Sequence, residues 1–330
     1  MRNNALNIGL ILFALGFARP AFAEGYGDLI KMPVLWGDEL YTETYTMILD
    51  LNEQTYMQLQ FVVSNAGPGD EQGACRALVI DGDKEPWTLS KKVKRSQWSY
   101  SRAKSSILDL KNCYLSAGDK IEAEMILDGS EIRVSLGQVS PGFKPPYGDI
   151  SVAKDKHYRG RILVSRADAT VVFKKKGRRV RQLKGVAYLD HSIGNVLPKK
   201  IATSWLRVRS LQAQCPLLVL LQVHPSHNRA VGWYWSGEDA KANGIDNIEP
   251  FWQNPEAEIK DFRLPQIKSL KGQVAGELYR FVPMREYGLL GRLVGSVVGS
   301  PVTTTYRVRL NGPERCSGVD AIMEVAFSDI

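Results

Sequence analysis

The chain of 330 residues is poor in the side chains that most often carry catalysis or hold metals. It has four histidines and four cysteines. None of the cysteines has CxxC spacing, which leaves little support for a thioredoxin-like or zinc-ribbon protein. No GxSxG motif marks a serine nucleophile. His224 and His227 could join His191 and Asp190 around a metal, but they sit in an HPSH loop and not in a helical HExxH. No metal or other cofactor is therefore expected. Beyond the N-terminus no apolar run is long enough to cross a membrane. Sustained helical periodicity is missing outside one C-terminal stretch, which leaves a β architecture.

The chain opens with Arg2, a short apolar run over Ala5–Phe17 and the small-residue triplet Ala21-Phe22-Ala23. That pattern predicts a secretory signal peptide over residues 1–23 and a periplasmic or secreted protein starting at Glu24. Cys75, Cys113, Cys215 and Cys316 form an even set, as disulfides in an exported protein require. Three pairings are open, and one bridge within each half is the economical choice. Net charge is +8 for the whole chain. A basic exported protein can meet anionic lipid head groups, whereas nucleic acid is not an expected partner. The basic clusters Lys91–Arg95 and Lys174–Arg179 are either solvated hairpin tips or a docking face for an anionic membrane.

Strand signals begin near Tyr41. Met57, Leu59, Phe61 and Val63 alternate with polar neighbours in Tyr56–Ser64, the period of a half-buried strand. Ile121–Leu127 and Ile132–Leu136 flank Asp128-Gly129-Ser130, a hairpin turn. Ser140–Asp149 concentrates proline and glycine and is expected to link an N-terminal barrel over residues 24–145 to a C-terminal barrel over 146–330. In the second half, strands are expected at Arg161–Ser165 and Thr170–Phe173, joined by Arg166–Ala169, and onward to Gly318–Phe327. The fold class expected is all-β, two tandem antiparallel β-barrels. One short helix is expected in Tyr287–Pro301, where leucines and valines recur at helical spacing.

The chemistry concentrates in Gly185–Asn195, GVAYLDHSIGN. On a straight strand Val186, Tyr188 and Asp190 share one face while Ala187, Leu189 and His191 share the other. Asp190 beside an apolar interior would have a raised pKa and could protonate an alkene. Tyr188 and His191 would assist it. Aromatic walls from Trp205, Trp233, Tyr234 and Trp235 would face the resulting carbocation. With Leu206 and Arg207 they are the candidate ligand-binding residues, lining a barrel cavity. The competing reading has Asp190 and His191 bonding turn backbone to close a barrel end.

Residues 187–194, AYLDHSIG, resemble the G-Y-H-D-H-N-W-G signature of the lipocalin-like superfamily that contains hydroxyneurosporene synthase (carotenoid hydratase) and the survival-factor lipid carriers. Thr42–Tyr45, Met57–Asn65 and Gly318–Ala326 are similar to strands of the survival-factor branch. The resemblance implies two lipocalin-like barrels around a hydrophobic small molecule, a lipid or isoprenoid, and puts the hydratase's proton-donating aspartate at Asp190. Leu189 replaces the signature's histidine and Ser192-Ile193 its Asn-Trp. Those departures favour a carrier in lipid transport over an enzyme of acid-catalysed hydration, cyclisation or isomerisation.

Overall fold

The computed structural model describes residues 33–328, apart from 53, 66–69, 83, 102–105, 118–119, 227, 238, 240, 255–256, 268, 283–300 and 313. The expected signal peptide and nearly all of the expected helix in 287–301 lie outside the described residues.

The chain forms two curled antiparallel sheets. In the first, β1 (Thr42–Asp50), β2 (Thr55–Ser64), β3 (Gln72–Asp81) and β4 (Trp87–Val93) make one meander. A second meander holds β5 (Ser99–Ser101), β6 (Ser106–Asp109), β7 (Cys113–Ala117), β8 (Ile121–Leu127) and β9 (Ser130–Gly137). Between them run β12 (Lys156–Lys174), paired with β9, and β13 (Arg181–Gly194), paired with β1. The short strands β10 (Pro141–Phe143) and β11 (Asp149–Ala153) add to β12. A one-turn helix, Pro198–Ile201, then leads into the second sheet. That sheet contains β14 (Ser204–Ser210), β15 (Leu217–Val223), β16 (Ala230–Ser236) and β17 (Asn243–Ile248) on one side. On the other are β18 (Asp261–Leu264), β19 (Leu270–Phe281), β20 (Val302–Asn311) and β21 (Val319–Phe327), with β21 against β14.

Local chemistry accounts for much of this. Asp128 and Gly129 both have positive φ, 51° and 78°, the backbone of a two-residue turn matched to strand twist. Two expectations are corrected. Arg166–Ala169 is no turn: β12 runs unbroken through it, with bulges between Ile162 and Val164 and between Val164 and Ala167. A bulge absorbs an irregular stretch while keeping the ladder. The proline-rich stretch at 140–149 does not divide the sheets, because Pro141 and Phe143 pair with Val164 and Ile162 on β12. The expected boundary at 145/146 thus falls within the first sheet, and the chain changes sheet between Gly194 and Ser204.

Each sheet folds around its own core. Met47, Leu49, Leu59, Phe61, Leu163 and Leu189 are fully buried inside the first. Leu206, Val208, Leu221, Trp252 and Met323 do the same in the second. A third cluster lies between the sheets, where Ile48, Tyr56 and Tyr188 meet Leu218, Trp233 and Ile322. The cysteines pair as Cys75–Cys113 and Cys215–Cys316, one bridge within each sheet.

Candidate active site between the two sheets

Strand alternation decides what each residue of 185–195 can reach. The odd positions Leu189, His191 and Ile193 point into the first sheet's core, so the even positions Tyr188, Asp190 and Ser192 point outward to the second sheet. Asp190 stands opposite Thr46 on β1 and Ile162 on β12. A cavity of about 190 Å³ lies on this outer face. Tyr188, Asp190, Tyr158 and Gln60 form its wall on the first sheet; Trp205, Arg207, Arg209, Trp233 and Glu324 form its wall on the second. Pro145 and Tyr147 border it, and the Tyr147 hydroxyl donates to Asp246 of β17 across the sheets. The cavity expected inside a barrel is therefore found between barrels. A packed interior has no room for one, whereas two curved sheets touching back to back leave a gap.

Two carboxyls face this cavity, and their environments drive them apart. Burial pushes Asp190 above the ordinary aspartate value, against the pull of the Arg209 and Arg207 charges and a hydrogen bond from Tyr188. Burial works on Glu324 in the same direction, but there Arg209 and Arg207 prevail and its pKa falls below the ordinary value. The Arg209 guanidinium donates to the Glu324 carboxylate and also lies 5.0 Å from the centre of the Tyr188 ring. Asp190 is thus held toward the acid and Glu324 as the anion, the division of labour that separates a proton donor from a fixed charge. Tyr188, also deeply buried, is held firmly as the neutral phenol.

His191 borders the same cavity, yet its imidazole is engaged on the inner face. It stacks on Tyr45 at 4.3 Å, and Nε2 shares a hydrogen bond of 2.8 Å with Glu43 Oε1. The hydroxyls of Tyr41 and Tyr45 and the backbone N–H of Val34 also donate to Glu43. Burial works to raise Glu43, but these bonds, led by the one from His191, bring it below the ordinary glutamate value. The adjacent pair of the sequence is thus two separate sites.

Among the other expected ligand-binding residues, Trp205, Arg207 and Trp233 line the cavity. Leu206 and Tyr234 turn into the second sheet's core, as their alternation with Trp205 and Trp233 requires. Trp235 stays in the layer between the sheets, its indole N–H bonded to the Asp239 carbonyl and its ring stacked on Phe143. Sequence reading missed Arg209 and Glu324. Both carried a signal, since Arg209 shares the parity of Trp205 and Arg207, and Glu324 interrupts the apolar strand VDAIMEVAF. Among the described residues no cluster of three or more histidines, cysteines or acids is placed to hold a metal.

The architecture is two curled antiparallel sheets packed back to back. Among solved structures it is similar to a candidate AttH from Nitrosomonas europaea, with a TM-score of 0.59, 10% identity and coverage of 97% of this chain and 98% of that one. Kievitone hydratase from Nectria haematococca superimposes with a TM-score of 0.51 and 10% identity, over 87% of this chain and 89% of that one. At such identities the likeness concerns the fold. No protein-family model and no curated protein matches the chain.

Proposed function

We propose that the protein is an enzyme that starts a hydration, cyclisation or isomerisation of an unsaturated small molecule by protonating it, with Asp190 as the proton donor. The observation that carries this reading is a carboxyl, its pKa raised by burial, on the wall of a cavity shared by two sheets. The Asp190 O–H would add its proton to one alkene carbon, and the other carbon would become cationic. Trp205 and Trp233 offer negative π faces to that cation. Water attack on the cation gives an alcohol, and the proton it sheds restores the Asp190 acid. Alternatively, loss of a neighbouring C–H proton to the carboxylate gives a shifted alkene, with the same balance. Arg209 and Arg207 would stabilise the carboxylate in between, and Tyr188 would hold it by hydrogen bonding. Kievitone hydratase, by its name a hydratase, has a related fold, which is compatible with this chemistry.

The carrier of a whole lipid is the second reading. Leu220, Ile162 and Trp233 give the cavity some apolar wall. Against it, about 190 Å³ lies below the 300–1,000 Å³ or so of usual ligand pockets. Export through a signal peptide over residues 1–23 belongs to the same proposal, and the two disulfides are consistent with an oxidising compartment.

The test is incubation in D₂O with organic-soluble small molecules from the native cells, followed by mass spectrometry. Every protonation-initiated route leaves carbon-bound deuterium in a product. The wild type is expected to label such a product, and Asp190→Asn, with an unchanged thermal transition, is not. Equal labelling by both would remove Asp190 from the chemistry. An unlabelled molecule retained by both proteins would return the carrier reading.

A further inference from the structure

One cation at the cavity has no direct ion-pair partner among the described residues. Arg161, also at the cavity wall, donates to Asp149 at 2.6 Å, and Arg209 is taken up by Glu324. Arg207 lies two residues from Arg209 on the same face of β14, and among the described residues no hydrogen bond or ion pair holds its guanidinium. Its cross-strand neighbours on β21 and β15 are Glu324, whose carboxylate is bonded to Arg209, and the apolar Leu220. Asp190 would balance Arg207 as a carboxylate, but burial favours its neutral acid. The resting cavity thus holds two guanidinium groups from β14 against one fixed anion. Gln58, Gln60, Gln222 and Ser192 add neutral polar groups to the wall and no charge. A partly buried guanidinium without a partner is costly, and its planar donor fork suits a carboxylate or similar oxyanion.

We propose that Arg207 binds an anionic oxygen of the substrate, a carboxylate, phenolate or enolate, so that the molecule protonated by Asp190 is an unsaturated acid and not a neutral hydrocarbon. This rests on Asp190 as proton donor for the word substrate, while the anion site stands on the guanidinium of Arg207, which lines the cavity with no hydrogen bond or ion pair among the described residues. The cavity, the room of about six water molecules, takes the reacting fragment of such an acid.

A matched pair of probes tests it: sorbate, a conjugated dienoic acid ionised at neutral pH, and its uncharged methyl ester, titrated by ligand-observed NMR. Sorbate is expected to bind the wild type at least about tenfold more tightly than methyl sorbate, the usual worth of a charge-assisted bond. Arg207→Gln is expected to abolish that preference, Arg207→Lys to keep part of it, and Asp190→Asn to leave it intact. Equal affinities, binding of neither probe, or a preference that survives Arg207→Gln would each overturn the anion site. The wild-type comparison decides even if a variant fails to fold. If the preference holds while deuterium labelling is the same in Asp190→Asn, the proton-donor reading fails alone; labelling that depends on Asp190 without a preference for the acid sinks only the anion site.

Discussion

Asp190 and His191 are neighbours in the chain and strangers in the fold. Asp190 faces the cavity between the sheets, and His191 completes the buried cluster around Glu43 that ties down the segment at Val34. Strand alternation makes their separation readable from the sequence, and Val186, Tyr188 and Asp190 were expected on one face. The residues waiting on the other side were not readable, because Arg209 and Glu324 come from strands of the other sheet. A consequence of Asp190's raised pKa can be measured without a substrate. The folded state binds this proton more tightly than the unfolded chain, so its stabilising contribution is full below the ordinary aspartate value and is lost as pH rises toward the elevated one. Asp190→Asn carries no such penalty. Urea midpoints of the two proteins are expected to diverge in favour of the asparagine variant as pH rises above the ordinary aspartate value. A difference that is flat with pH, or of opposite slope, would mean that Asp190 is ionised in the resting fold.

At the scale of elements, the hairpin of β12 and β13 organises the first sheet, joining the β1–β4 meander to the β5–β9 meander. Its tip, Lys174–Arg179, turns at Gly177, whose φ is 73°. The other basic cluster is partly consumed by structure, since Lys91 donates to the Leu110 carbonyl and Arg95 pairs with Glu71 and lies over Trp98. At the start of β13, Gly185 passes so near the end of β1 that a Cβ there would meet the Asp50 carbonyl oxygen at 2.4 Å and the Leu51 Cα at 2.5 Å. Backbone atoms cannot step aside cheaply. Gly185→Ala is expected to cost about 1–3 kcal/mol, whereas Gly276→Ala, with open space around its Cβ, should stay within about 0.5 kcal/mol. Chemical denaturation of both variants checks this, and equal costs would show that β13 has slack over β1. The bulges in β12 mark where pattern reading stopped. A polar stretch such as Arg166–Ala169 reads as a turn unless the neighbouring strands, which alone show that the ladder continues, are known.

In the whole molecule, two packed cores are joined through a third layer that mixes apolar contact with buried charge. Asp50 and Arg307 pair at 3.0 Å across that layer, and the Tyr56 hydroxyl is buried within it with no hydrogen-bond partner among the described residues. Such pairs add little net stability, but removing one member leaves a buried charge, so they penalise wrong docking of the sheets. The bridges stabilise at the same scale. Cys75–Cys113 and Cys215–Cys316 close sequence separations of 38 and 101 residues, and loop-closure entropy puts them at about 4 and about 5 kcal/mol. A reductant is therefore expected to lower the urea midpoint sharply; an unchanged midpoint would mean that folding does not depend on either bridge. The sequence alone determined the β class, most strand positions, the hairpin at Asp128-Gly129 and the face on which Asp190 lies, because all of these follow from local periodicity and backbone preference. It did not determine the sheet to which β12 and β13 belong, the filled barrel interiors, or the opposition of Asp190 to Arg207, Arg209 and Glu324. Those depend on pairing between strands and on the packing of one sheet's outer face against the other's, which local periodicity does not encode.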